Sequence, residues 1–188
     1  LLGVERLPGV VVDAAAAAVG AHDPTVAVVS RYPEEPAVRH LKVLALFPGA
    51  AAVEVVEQHG WKAAAILETG AQSWNETGPV RGQVRVDAAA GERRGPLSLG
   101  WALTRPRPGG AGEQRAIVVG DAAFLSNAVL GNAGNLDLGL NLVRWLTAND
   151  SLLDIPLRAA PDLRYDPPAW ARGLPFLFLF GLPAGGLA

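Results

Sequence analysis

The run AIVVG at residues 116–120 has no polar face. Successive side chains of a strand point to opposite faces, so an element of this composition must be covered on both sides. The pattern predicts a central strand of a mainly parallel sheet, ended by Asp121. Further short runs read as strands: GVVVD at 9–13, TVAVVS at 25–30, KVLALF at 42–47, the end of WKAAAILE at 61–68, LSLGWALT at 97–104 and residues 152–158. A short helix is expected over 122–131 and a longer one over 136–148. Strands alternating with short helices predict a layered α/β fold with a mainly parallel sheet. Residues 1–6 read as the last turn of a helix, 79–87 as an edge or hairpin arm, and RPRPGGAGEQ at 105–114 as a loop. Residues 50–58 satisfy the strand and helix patterns equally.

Polar residues near the AIVVG run are the candidates for binding. Asp121 stands where a strand gives way to a helix, the position at which open parallel sheets bind ligands; capping the next helix is the simpler use of a carboxylate there. Asn127, Asn132 and Asn135 cluster with Gly131 and Gly134, residues suited to tight turns. In the second helix Asp137, Asn141 and Arg144 fall at i, i+4 and i+7. They form a narrow polar stripe, expected to be solvated or turned toward a partner subunit. Leu138, Leu142 and Trp145 are expected to face the core. Ser73 and Glu76 have capping-box spacing.

Several chemistries find no residues to carry them. The chain has no Cys, which removes disulfides, thiolate metal sites and a Cys nucleophile. The histidines His22, His40 and His59 stand singly, so no metal site is expected. There is neither GxGxxG after a strand nor GxxxxGK[ST], and no nucleophile elbow around Ser73. No catalytic residue and no cofactor is expected. The net charge of −2 offers no basic field for nucleic acid.

From residue 159 the character changes. Residues 159–172 read as a Pro-rich juxtamembrane linker, and residues 173–188 carry no charge at all. A membrane span needs about 20 apolar residues. Trp170 and Arg172 before the run suit an interfacial belt, so 173–188 reads as the start of a transmembrane helix, a buried terminal segment being the alternative. Residues 1–158 then form an extracytoplasmic α/β domain. A start at Leu1 suggests that more chain precedes it.

The stretch VVGDAAFLSNAVLGNAGNLDLGLNLVRWL at 118–146 resembles the GldG-like, gliding-motility-associated auxiliary components of ABC-type transport systems. It is similar to their strand, GD-x-x-F-x-x-N, GN-x-x-N and following helix. QSWNE at 72–76 is similar to a family S-W-x-E turn. In the Pro-containing loop the family tends to carry His-Pro-Ile-Thr, where this chain has Glu35-Pro36-Ala37-Val38. The resemblance implies an amidotransferase-like or flavodoxin-like fold, of which this chain is the C-terminal part. It also implies a domain on the periplasmic face of a bacterial inner membrane, anchored in the bilayer through 173–188, beside an ABC permease and ATPase. A structural subunit of another membrane complex, or a hydrolase of amidotransferase-like fold, are the competing readings.

Overall fold

A computed structural model of the chain describes residues 2–82, 84–110 and 112–148. All of these belong to the first of the two units into which the chain divides, Leu1–Ile155. Its strands are β1 (Val4–Arg6), β2 (Val10–Asp13), β3 (Val26–Val29), β4 (Ala45–Pro48), β5 (Val53–Val55), β6 (Lys62–Glu68), β7 (Ser73–Glu76), β8 (Ser98–Pro106) and β9 (Glu113–Val119). One helical turn, α1 (Ala15–Ala18), follows β2, and one full helix, α2 (Asn135–Leu146), comes last.

Every pairing among these strands is antiparallel. β1 pairs with β5, β2 with β7, and β3 with β4, while β6, β8 and β9 form a three-stranded sheet in that order. Single backbone bonds tie the small sheets together. Val11 N–H of β2 donates to the Ala50 carbonyl, in the link between β4 and β5, at 2.7 Å, while the bond from Leu7 N–H to the Ala52 carbonyl at 2.8 Å extends the β1–β5 pair. Gly120 joins two of these pieces: its N–H donates to Leu99 at 2.8 Å and its carbonyl accepts from Ala51 N–H at 2.9 Å. A Cβ at Gly120 would collide with the Ala51 carbonyl, so only glycine permits this crossing.

The core lies among these pieces. Phe47, Ile66, Leu67, Leu99 and Leu138 are fully buried within it. The Phe47 and Phe124 rings meet at 5.0 Å between centroids, tilted by 34°, a favoured aromatic arrangement. α2 closes the core with Leu138, Leu142 and Trp145.

This architecture overturns the expected layered, mainly parallel α/β sheet, and with it the amidotransferase-like or flavodoxin-like fold. For β8 and for β9, which holds most of the AIVVG run, the reason lies in the connection. Parallel neighbours need a crossover of a dozen or more residues, usually a helix, whereas antiparallel ones need only a short turn. β8 ends at Pro106 and β9 begins at Glu113, which leaves room for a hairpin and nothing else. β9 holds the AIVVG run, yet it is an edge strand with Gln114–Val119 all half-buried. Partial cover on both faces replaces the full burial expected of a central strand.

Smaller expectations also change. Residues 4–6 are a strand, not the end of a helix. The helix expected over 122–131 contracts to a single 3-10 turn at Ala123–Leu125. Ser73–Glu76 is strand β7 and caps no helix. The runs at 9–13, 25–30 and 61–68 contain β2, β3 and β6. β8 overlaps the run at 97–104 but extends to Pro106, into the stretch 105–114 expected as a loop, where β9 also begins at Glu113. The strand expected at 152–158, the linker 159–172 and the transmembrane start at 173–188 lie outside the described residues. Among the described residues no helix is long and apolar enough to cross a membrane.

Candidate functional site

The polar residues singled out near the AIVVG run end in different places. Asp121 follows β9 and is half-buried. Its Oδ1 accepts from Ala123 N–H at 2.6 Å, so the carboxylate caps the 3-10 turn. Oδ2 is buried and has no hydrogen-bond partner. Burial pushes the Asp121 carboxyl above the ordinary aspartate range, while the Ala123 and Phe124 amides pull the other way. An open cleft of about 380 Å³ lies beside it, lined by residues that include Arg6, Val53, Val119 and Asp121. With no parallel pairing among the described residues, the ligand-site argument from strand ends no longer applies to Asp121. What remains is a cap with one orphaned oxygen.

Asn135 is fully buried and fully engaged. Its Oδ1 accepts from Leu46 N–H at 2.8 Å. Its Nδ2 donates to the Leu46 carbonyl at 2.8 Å and to the Phe124 carbonyl at 3.1 Å. The side-chain amide thus copies a strand partner for β4 and ties the turn after β9 to the same point. Residues 132–135 bring the chain to this clamp: Gly134 N–H donates to the Leu44 carbonyl at 2.8 Å, and a Cβ at Gly134 would collide with Val43. Asn127, by contrast, is exposed on the turn.

α2 is turned differently from the expectation. Asn141 is only 8% exposed, while Asp137 and Arg144 are half-buried. The most exposed positions of the helix are Leu136, Val143 and Leu146. The polar stripe therefore lies at the margin of the packed face, and apolar residues occupy the outside.

Sequence reasoning missed a second set of buried polar groups. Asp13, 1% exposed, accepts from Ala15 N–H at 2.9 Å and from Val28 N–H at 3.0 Å, joining β2, α1 and β3. Its position at the end of an apolar run and before five alanines was the available signal, since a carboxylate there has backbone amides or water to serve. Glu92 accepts from Thr77 N–H at 2.9 Å, Thr77 Oγ1 at 3.0 Å and Asp87 N–H at 2.7 Å. These bonds, with the Asp87 amide first, hold its carboxyl below the usual range. Nothing in its charged loop distinguishes it in sequence. Ser73 is buried with its hydroxyl 2.6 Å from Thr69 Oγ1 and donating to the Gly70 carbonyl at 2.9 Å, an arrangement that locks a turn.

Among the described residues no group of three metal-ligating side chains comes together. Compared with models of known protein families and with curated proteins, the chain matches none. Function must therefore be argued from the chain's own residues and from the resemblance at 118–146.

Proposed function

We propose that this protein is a non-catalytic auxiliary subunit of an ABC-type transport system, similar to the GldG-like components. In this reading it is held at the periplasmic face of the inner membrane through residues 173–188 and binds a permease and its ATPase. One observation carries the non-catalytic part. In the stretch that resembles the family, the best-placed polar side chains serve the backbone: Asp121 caps a turn and Asn135 bonds Leu46 and Phe124. Asn135, committed to three backbone bonds in the interior, is a poor acid, base or nucleophile. The outside of the same stretch instead offers Leu136, Val143 and Leu146, and exposed apolar groups gathered in one place favour protein contact over chemistry. The antiparallel fold removes the amidotransferase analogy that stood behind a hydrolase reading, and equally the fold expectation attached to the GldG-like resemblance, so the proposal rests on the stretch 118–146 itself.

The gene neighbourhood and co-purification test the proposal. Genes for an ABC permease and ATPase should adjoin this one, and the three products should co-purify in mild detergent. The chain purified alone should hydrolyse neither activated esters nor amides. A permease–ATPase pair that purifies without it, or turnover by the chain alone, would overturn the reading.

A further inference from the structure

Seven large apolar residues stand exposed among the described residues, and five of them gather on or against α2. Leu136, Val143 and Leu146 are on the helix, 45%, 54% and 42% exposed. Leu125 lies over Gly139, so that a Cβ at Gly139 would collide with it, and Val43 lies against Gly134 in the same way. At about 100° per residue, Leu136, Leu140 and Val143 fall within about 60° of one another. They form a stripe along the outside of α2, with Leu125 and Leu146 on one flank.

The other flank carries charge. Asp137 and Arg144 both project about 90° from Leu136, on the side opposite Leu125. Asp137 is in the first turn of α2 and Arg144 in the last. Their midpoint along the helix coincides, within one residue, with the midpoint of the apolar stripe. This placement is self-complementary. A two-fold axis that runs α2 antiparallel to a copy of itself leaves each flank on its own side. It sets Asp137 of each copy opposite the partner's Arg144, with the two stripes face to face. Antiparallel helix dipoles add to the match. Arg144 also interacts within its own chain, and a guanidinium has five donors to share.

From this geometry we infer that α2 is a homodimer interface, antiparallel across a two-fold axis, with the Leu136–Leu140–Val143 stripe at its centre and paired Asp137–Arg144 contacts along one flank. The inference draws on the same exposed face as the function proposed above but assigns it to a second copy of this chain. It does not require that function, since a dimer would serve a transport subunit or any other.

The test measures the oligomeric state of the full 188-residue chain by sedimentation equilibrium in mild detergent. Detergent prevents the uncharged run at 173–188 from driving association. A concentration-dependent dimer is expected. Val143→Glu should weaken it by about tenfold or more, because unpaired charge inside an interface is strongly disfavoured. Val143 is more than half exposed, so circular dichroism, and the thermal midpoint at concentrations low enough to keep the chain monomeric, should stay unchanged in that variant. Asp137→Arg and Arg144→Asp should each weaken the dimer, and the double swap should restore it. A monomer at every concentration overturns the inference and leaves the face to lipid, to another protein or to the chain's own residues 149–188. A dimer indifferent to Val143→Glu, or a double swap that fails to recover association, overturns it equally.

Discussion

Asn135 shows how much of this fold one side chain can hold. Three bonds converge on its amide inside the core, from Leu46 on both sides and from Phe124. Removing the amide leaves buried backbone groups without partners, each at a cost of about 1–3 kcal/mol. We expect Asn135→Ala to destabilise the protein by about 2–5 kcal/mol in urea unfolding. The exposed Asn127→Ala should stay within about 0.5 kcal/mol. Asp121 makes a second prediction, in pH. Its folded-state pKa is raised above the ordinary value of 3.8, so the folded state binds the proton more tightly than the unfolded state. Stability therefore falls as pH rises from 3.8 through the folded pKa, and is highest below that window. Asp121→Asn keeps an oxygen for the Ala123 amide and removes the titration. The stability of this variant relative to the parent should increase with pH across the window and level off above it. A constant difference at all pH values would show that the orphaned Oδ2 carries no energetic consequence.

At the scale of elements, α2 decides the contrast between its faces. Leu142 is 5% exposed and Val143 54% exposed, although they are sequence neighbours of similar hydrophobicity. Leu142→Ala should cost about 2–5 kcal/mol through lost burial and the cavity left behind. Val143→Ala should cost less than about 0.5 kcal/mol in the monomer. Urea unfolding of both variants, at concentrations low enough to keep the chain monomeric, makes the comparison. A sequence reading of α2 gets the inner face right, at Leu138, Leu142 and Trp145, but takes Asn141 for solvent-facing. With seven apolar side chains among its twelve residues, the helix cannot hide them all. The polar residues then mark the border of the contact, where Asp137 and Arg144 sit. For β9 the apolar run was legible and its neighbours were not. The short link from Pro106 to Glu113 was the sign of a hairpin, but periodicity alone does not reveal which strands pair.

At the scale of the molecule, three of the four small antiparallel sheets among the described residues, all but β1–β5, share one core, and none of the two-stranded pairs is stable alone in water. Phe47 sits where they meet, fully buried, with Phe124 against it. Phe47→Ala should cost about 3–5 kcal/mol. If the sheets fold as one unit, amide exchange should quicken together in β2, β4, β8 and α2. Loss of protection confined to β3 and β4 would mean that the sheets open separately.

The sequence by itself determined where most strands lie, because β-branched and apolar runs bounded by Gly and Pro follow from local sterics. It determined the existence of α2, which rests on a period of 3.6 residues, and it ruled out thiol chemistry by composition. Only the tertiary structure decided that the strands pair antiparallel, that AIVVG lies at an edge, that Asn135 and Asp13 are bonded to backbone amides far along the chain, and that α2 turns Leu136 and Val143 outward. Pairing and burial depend on contacts between residues distant in sequence, such as Asn135 with Leu46, and no local pattern encodes which distant partner a polar group or strand edge will meet.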